Sequence, residues 1–484
     1  MKEIQNKYLQ YKIRMMLFYK RLLIISIFFM LHNTNVLFSQ VFSAKKDSIK
    51  TIVWNQHLNK VYTTGVKRGV GVFNNSMRIN YRVNKVNKFY IELDEPTLVY
   101  QAKKTRGWGF VQFPRLFKND DEKLAVVWNM NEDDILAKPK KKWKYSKNAG
   151  KTWFFRHKES PYDKGVLLSD NSRLKLYSNK YKEAELNTTA IEYNSNTFNT
   201  ETSQANREKE ALFKFYKLES LESRCTNFNQ VKSYKDSIVL ISSPVKYLPN
   251  TLKYSYKGVF PNQLWGKMAK VNNCTLITCQ YPYFKNNGDK KINSSGVAFF
   301  ESKDNGGSWK QISDIPFYVN EVYDKENKLD RTYLGYTEPI FQVLKNNKIV
   351  CILRSSPTYK EAPMYMTVSS DLGRTWSKPK AITNNGVLPQ LLLLENDMLV
   401  LSYGRPGVQV RFLDTKEDNL VWSDLIEMLR FKNLKGQVSC GYTNLLATSE
   451  NSFLIVYSDF RSRDENNNLR KSIFIRNIEV VKCN

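Results

Sequence analysis

Short apolar segments of strand length, separated by polar turns, repeat along the chain after residue 105. Each repeat has one apolar segment, a turn rich in Asn, Asp, Gly or Lys, and a second apolar segment. The paired segments are 113–117 with 124–128, 265–271 with 275–281, 339–344 with 349–354, 386–394 with 398–403, and 441–447 with 453–457, and residues 165–177 start a sixth pair. Such pairs at intervals of about 40–70 residues predict an all-β fold built from repeated antiparallel sheets.

An eight-residue motif recurs three times between these segments. It occupies residues 146–153, 302–309 and 369–376, and each copy reads Ser-x-Asp/Asn-x-Gly-x-Ser/Thr-Trp. The Asp or Asn side chain accepts hydrogen bonds from nearby backbone N–H groups, and Gly adopts the positive φ that a tight turn needs. The motif therefore predicts a hairpin turn that the Trp closes, and we assign it no catalytic part.

This motif is the Asp-box, and its repetition resembles the sialidase (neuraminidase) family of propellers. The resemblance implies a six-bladed β-propeller of four-stranded antiparallel sheets over residues 106–484, with Asp-box turns on the outer rim. A polar stretch at about 178–227 is expected to be an insertion. Residues 41–105 contain short alternating strands that either close the ring or form a lead-in module, and the sequence leaves both open.

The beginning of the chain has the pattern of an export signal. A basic region made by Lys12, Arg14, Lys20 and Arg21 precedes an apolar run at 22–31. This run is short for a membrane span. We therefore expect residues 1–40 to be a cleavable signal peptide and the mature protein to be secreted or periplasmic, without stable membrane insertion and monomeric.

The net charge of the chain limits the classes of partner that we expect it to bind. The 484 residues carry a formal net charge of +29, which attracts polyanions. No recognition-helix, zinc-finger or RNP-like pattern supports nucleic acid, so an anionic glycan is the expected partner. The three His residues exclude a histidine-rich metal site, and we expect neither a cofactor nor a metal. The six Cys residues are scattered, and their pairing is left open.

Candidate catalytic residues are sought on the first and second strands of the repeats, because the inner strands of a propeller converge on its axis. The ionisable residues and the tyrosine found there are, in chain order, Arg115, Asp133, Asp134, Glu338, Arg354, Arg405, Arg411 and Tyr442. Guanidinium groups bind a carboxylate with two parallel hydrogen bonds and stay charged at working pH. Several of them in one cavity would repel one another and so require an anionic ligand.

The order of these residues is similar to that of the sialidase site. The resemblance implies that Arg115, Arg354 and Arg405 hold the substrate carboxylate, with Arg411 competing with Arg405 for the third place. It implies Tyr442 as the nucleophile, activated by Glu338. Asp133 or Asp134 would be the acid/base. A phenol is a weak nucleophile until a carboxylate accepts its proton and nearby cations favour the phenolate.

The sequence thus predicts an exo-acting glycoside hydrolase that removes sialic acid or a similar acidic sugar. Two alternatives stay open. One is a polysaccharide lyase on a uronate polymer, in which His157 and a Tyr abstract and donate the protons. The other is a propeller that binds glycans without catalysis, because fold alone does not determine function.

Overall fold

The computed structural model describes residues 77–83, 86–104, 110–118, 123–131, 140–155, 165–177, 179–182, 213–234, 237–256, 258–262, 267–286, 294–318, 333–357, 362–405, 407–423, 425–429 and 441–482. The predicted signal peptide and the beginning of the 41–105 segment lie outside these residues. Helix is scarce within them: the described residues contain one short α-helix, α1 (Ser223–Thr226), and one 3-10 turn, Leu218–Ser220. No helix in this part of the chain has the length and apolar character needed to cross a bilayer.

The described residues form thirty strands. The first fifteen are β1 (Met77–Val83), β2 (Val86–Leu93), β3 (Thr97–Gln101), β4 (Phe110–Lys118), β5 (Leu124–Met130), β6 (Lys141–Ser146), β7 (Val166–Leu167), β8 (Arg173–Leu176), β9 (Asn179–Lys182), β10 (Phe213–Lys217), β11 (Phe228–Ser233), β12 (Ile238–Ser243), β13 (Val245–Lys246), β14 (Thr251–Tyr256) and β15 (Val259–Asn262).

The second half continues in the same way. Its strands are β16 (Ala269–Lys270), β17 (Leu276–Lys285), β18 (Gly296–Ser302), β19 (Trp309–Ile315), β20 (Tyr333–Val343), β21 (Ile349–Pro357), β22 (Met364–Ser369), β23 (Lys380–Ala381), β24 (Val387–Leu393), β25 (Met398–Gly404), β26 (Val408–Asp414), β27 (Ile426–Leu429), β28 (Thr443–Ala447), β29 (Ser452–Arg463) and β30 (Leu469–Lys482).

The strands assemble into sheets of the kind found in a propeller. Three sheets have four strands, in the orders β12-β11-β8-β7, β20-β21-β22-β23 and β24-β25-β26-β27. A nine-stranded sheet is built around β17, β18 and β19, and it includes β9, β10, β14 and β15. A six-stranded sheet joins β28, β29 and β30 to β1, β2 and β3. All strand pairs are antiparallel except β13 with β19.

The blade count differs from the expected six. Five sheets have the four or more strands of a blade, whereas β4-β5-β6 forms a sheet of three. At the outer edge of this three-stranded sheet, where a fourth strand would pair, the structure has a single bridge between Tyr145 and Phe154. The expectation of six four-stranded blades is therefore corrected to five, because the described residues after the first eight-residue motif, up to 155, pair with this sheet through one residue only.

The core lies between consecutive sheets. Separate apolar clusters fill the spaces between the β28–β30 and β4–β6 sheets, between the β8–β11 and β17–β19 sheets, and between each later pair of neighbours. Phe299 and Phe341, for example, meet with ring centroids 5.4 Å apart across two sheets. Packing on both sides of each sheet buries every residue of a central strand such as β25 and explains why most of its residues are apolar.

The three repeated motifs form turns of one geometry. In the third copy, Asp371 Oδ1 accepts the backbone N–H of Thr375 at 2.8 Å, and Ser369 Oγ accepts that of Gly373 at 2.7 Å. Gly373 has φ +88°, a conformation that favours glycine. Burial alone would raise the pKa of Asp371, but hydrogen bonds from Thr375 and Ser369 lower it to about 2.

Candidate active site

Four of the predicted residues lie at one end of three neighbouring sheets. Glu338 is in the first strand of its sheet, and the residue before it pairs with Arg354 on the second strand. Arg405 follows β25, whose last residue pairs with the first residue of β24. Tyr442 directly precedes β28. Because first strands start where second strands end, these four residues share one end of the fold; we call Glu338, Arg354, Arg405 and Tyr442 the hub cluster.

Glu338 connects two sheets. Its Oε1 pairs with Arg354 Nη1 at 2.8 Å, and its Oε2 accepts the backbone N–H of Leu388 in the next sheet at 2.7 Å. The two side chains are 13% and 21% exposed, so the ion pair is only partly screened by solvent. Glu338 and Leu388 both have φ +46° and both precede a proline, and the strand pairing is irregular at each. These bulges direct the carboxylate across the gap between the sheets.

Tyr442 is buried between an arginine and an aromatic ring. Its hydroxyl accepts a hydrogen bond from Arg405 Nη2 at 3.1 Å, and its ring lies 4.2 Å from that of Phe113, tilted by 31°. Burial lowers the pKa of Arg354, but the charge of Glu338, and after it that of Tyr442, more than offset this, so the pKa is raised. The Arg354–Glu338 pair therefore lies within electrostatic reach of the phenol.

Two glycines allow the sheets that carry Arg405 and Tyr442 to come into contact. A Cβ added to Gly404 would lie 1.7 Å from the carbonyl oxygen of Gly441, and Gly441 has φ +146°. The backbones of adjacent sheets thus touch at these two positions, and the residues that follow, Arg405 and Tyr442, are brought together. Any larger side chain at either glycine would force the sheets apart.

Tyr281 belongs to the same region and was missed by the sequence reasoning. Burial raises its pKa well above the ordinary value, and the neighbouring charge of Glu338 raises it further, whereas Arg354 lowers it. A sequence signal for it exists: like Phe113, Glu338 and Leu388, Tyr281 directly precedes a proline in the first or central strand of its sheet.

Two more polar residues near the hub cluster were also missed. Gln112, next to Phe113, is fully buried, and neither polar atom of its side chain has a hydrogen-bond partner. Asp459 is 1% exposed, and burial raises its pKa to about 6. The residue before it, Ser458, donates its backbone N–H to the carbonyl of Tyr442 at 3.3 Å.

The other predicted site residues are not brought to the hub cluster by any described contact. Arg411 is buried on β26, and its Nε donates to the hydroxyl of Tyr403 at 3.3 Å. Arg115 is exposed on β4, where its charge acts on Lys141. The sequence assigned both to carboxylate binding; we find them in other surroundings. Asp133, Asp134 and His157 lie outside the described residues.

The arrangement combines two guanidinium groups, one carboxylate and one phenol. The arginines can hold an anionic group. Glu338, placed beside Arg354, is a carboxylate that can take up a proton. Within the described residues, no group of three or more His, Cys, Asp or Glu side chains is arranged to hold a metal ion.

Comparison with known proteins agrees with the fold. The sequence matches no family model, and no curated protein matches it by sequence. The structure is similar to that of a protein of unknown function from Dyadobacter fermentans, with a TM-score of 0.51 and 13% identity over 81% of this chain and 99% of that one. This similarity and the sheet topology define the chain as an all-β protein of the propeller type.

Glycoside hydrolases are among the other structures that this chain resembles. An α-L-arabinanase of Penicillium chrysogenum, solved with arabinobiose, has a TM-score of 0.41 and 12% identity over 79% of this chain and 98% of that one. A sialidase of Streptococcus pneumoniae has a TM-score of 0.38 and 12% identity over 79% of this chain and 70% of that one.

Proposed function

We propose that this protein is an exported glycoside hydrolase that removes a terminal acidic sugar, sialic acid or a similar one, from glycans. The observation that carries the proposal is the hub cluster: a buried phenol hydrogen-bonded to one arginine and electrostatically coupled to an Arg–Glu pair. The sialidase resemblance of the Asp-box motifs supports the same class. The protein is proposed to act as a monomer, secreted or periplasmic, on an anionic glycan.

Each residue of the hub cluster has a part in the proposed reaction. Arg405 and Arg354 hold the sugar carboxylate. Glu338 accepts the phenolic proton as Tyr442 attacks the anomeric carbon, and a covalent glycosyl–tyrosine intermediate forms. Asp133 or Asp134 protonates the leaving oxygen, and the same residue then activates the water that hydrolyses the intermediate. A neutral phenol as nucleophile avoids the repulsion between a carboxylate nucleophile and the acidic sugar.

The test uses chromogenic glycosides of sialic acid and of uronic acids. We expect Tyr442→Phe to lower kcat by at least ~1,000-fold, because the substitution removes the attacking oxygen. Tyr403→Phe is the matched control: it removes another buried hydroxyl that is bonded to an arginine, and it should retain activity. Circular dichroism melts show whether both variants are folded. Failure of the unmutated protein to cleave any of these glycosides, or full activity of Tyr442→Phe, would overturn the proposal.

A further inference from the structure

Gln112 is a buried amide beside the hub cluster that the proposed reaction does not use. Its side chain is fully buried, and within the described residues neither its Oε1 nor its Nε2 has a hydrogen-bond partner. The flanking residues Val111 and Phe113 have φ +58° and +53°, in the left-handed region that is unfavourable for side chains of this size. A desolvated amide between two strained residues lowers stability, so its presence at this position requires another explanation.

The position of Gln112 has equivalents in two other sheets. In three hairpins a first-strand residue pairs with a second-strand residue and is followed by a residue of positive φ and then by a proline. In all three, the register shifts between that first-strand residue and the residue three positions further on. The pairs are Gln112 with Asn129, Thr337 with Arg354, and Val387 with Gly404.

Two of these three pairs reach the hub cluster. Arg354 is one of its members, and Gly404 directly precedes another, Arg405. Because the repeats of a propeller are arranged radially, equivalent positions of different sheets lie around one centre. The pair of Gln112 and Asn129 is therefore the contribution of the β4–β6 sheet to the same centre. The aromatic contact of the residue after Gln112 with the hub phenol, at 4.2 Å between ring centroids, agrees with this placement.

The β4–β6 sheet brings amides to the place where the β20–β23 sheet brings a guanidinium. Asn129, at the position equivalent to Arg354, is partly exposed. An amide offers one carbonyl acceptor and two N–H donors, which match a sugar hydroxyl or the N–H and C=O of an acetamido group. A carboxylate is bound more strongly by a guanidinium, whose hydrogen bonds are charge-assisted. This side of the hub cluster is therefore suited to an uncharged polar group.

We propose that Gln112 and Asn129 determine specificity by binding an uncharged substituent of the acidic sugar, a hydroxyl or an N-acyl group, while Arg354 and Arg405 hold its carboxylate. This inference rests on the proposed function of the hub cluster. The sugar enters from the side of Asn129 and displaces the groups that shield Gln112. A site built from buried hydrogen-bonding groups rejects analogues that lack the matching substituent, because its own polar atoms then stay unpaired.

Gln112→Met tests the inference, because methionine keeps the length of the side chain and removes its hydrogen-bonding atoms. We expect kcat/KM for a chromogenic sialoside to fall by about 10- to 100-fold, which is the effect of losing one or two hydrogen bonds to the substrate. The melting temperature should stay the same or rise, because the substitution also removes the buried amide that no described residue satisfies. Asn129→Leu should lower kcat/KM as well.

Gln230→Met is the matched control. Gln230 is also fully buried, but its Nε2 donates to Ser243 Oγ and to the carbonyl of Gly306, both at 2.7 Å. This variant should melt at a lower temperature, because two buried acceptors lose their donor, and the folded protein should keep its kcat/KM within about twofold. A loss of stability in Gln112→Met as large as that in Gln230→Met would show a structural role and overturn the inference.

Two sialosides identify the substituent, one with an acetamido group at C5 of the sugar and one with a hydroxyl there. A loss confined to the first identifies the N-acyl group, and a loss on both identifies a hydroxyl that they share. Unchanged activity of Gln112→Met on both would overturn the inference and leave the proposed hydrolysis standing. If the parent cleaves neither, calorimetry with free sialic acid replaces the kinetics. Weaker binding by Gln112→Met would then support the inference without hydrolysis, and absence of binding by the parent would overturn both.

Discussion

At the scale of single residues, two glycines determine the geometry of the hub cluster. Gly404 and Gly441 let two sheets approach so closely that no Cβ fits between them. That approach sets the 3.1 Å hydrogen bond from Arg405 to the Tyr442 hydroxyl. The position of the phenol among charges is therefore a consequence of backbone contact, and the chemistry depends on residues that carry no functional group.

A buried acid beside this cluster gives the fold a pH dependence. Burial raises the pKa of Asp459 to about 6 from an ordinary value of 3.8. The folded state then binds a proton that the unfolded state releases between about pH 4 and 6, so this contribution to stability is complete below pH 4 and is lost as the pH rises through 6. A shift of about 2 pH units corresponds to about 3 kcal/mol.

Asp459→Asn should abolish this loss, because an amide does not titrate between pH 4 and pH 7. The amide oxygen can still accept the N–H of Arg461, which the carboxylate accepts at 2.8 Å. Urea unfolding at pH 4 and pH 7 measures the difference between the variant and the parent. The control Asp464→Asn removes a carboxylate with a lowered pKa, and its effect on the pH dependence has the opposite sign. An identical pH dependence in parent and Asp459→Asn would refute the argument.

At the scale of elements, the sequence was sufficient to predict the local turns. It was not sufficient to predict on which face of a strand each side chain lies. The eight-residue turns could be predicted because the hydrogen bonds that shape them, from Gly373 to Ser369 and from Thr375 to Asp371, lie within five residues. The resemblance to sialidases implied that Glu338 and Arg354 belong to one site, and the structure joins them in an ion pair. Bulges at Glu338, at Leu388 and between Phe110 and Arg115 reverse the alternation of faces. Sequence could therefore not show where Arg115 would lie relative to the hub cluster.

Contacts between strands and sheets, which the sequence does not show, also explain the other differences between the predicted and the observed site. Arg411 and Arg405 are six residues apart and looked equivalent, yet pairing of Arg411 with Leu401 places it on the third strand beside Tyr403. The contact of Arg405 with Tyr442 spans two sheets and depends on the glycine approach, which no local pattern records. Tyr281 was missed because its relation to Glu338 exists only in the folded chain.

The turn motifs allow a test, at the element scale, of how much a charged hydrogen-bond acceptor contributes to stability. Asp371 accepts hydrogen bonds from two backbone N–H groups and two hydroxyls, and Asn148 occupies the corresponding place in the first copy. Hydrogen bonds to a charged acceptor are stronger than neutral ones, so Asp371→Ala should cost about 2 kcal/mol and Asn148→Ala about 1 kcal/mol. Unfolding in urea at pH 7 measures both. A larger loss for Asn148→Ala would contradict this explanation.

At the scale of the whole molecule, the two ends of the described chain share one sheet. The strands β2 and β3 both pair with β30, near the C-terminus. Arg476 on β30 is 1% exposed, and its Nε donates to the carbonyl of Asp94, between β2 and β3. Early and late segments are thus joined by a buried contact, and the sheets should unfold together.

Arg476→Ala should therefore destabilise the fold by about 2–4 kcal/mol, since it leaves a cavity and an unsatisfied carbonyl. Arg476→Met refills most of the volume without restoring the donor, and its loss should be smaller. Arg463→Ala, at the end of β29, is the control and should be nearly neutral. Calorimetric melts measure all three variants. Equal stability of Arg476→Ala and the parent would show that this contact does not join the two segments.

The identity of the nucleophile tests the account most directly. A fluorinated acidic-sugar fluoride reacts as a substrate but forms a slowly hydrolysed intermediate, because fluorine destabilises the oxocarbenium-like transition state. Mass spectrometry of the digested protein then locates the sugar. The account predicts one adduct, on Tyr442. An adduct on Glu338 or on another carboxylate would contradict it.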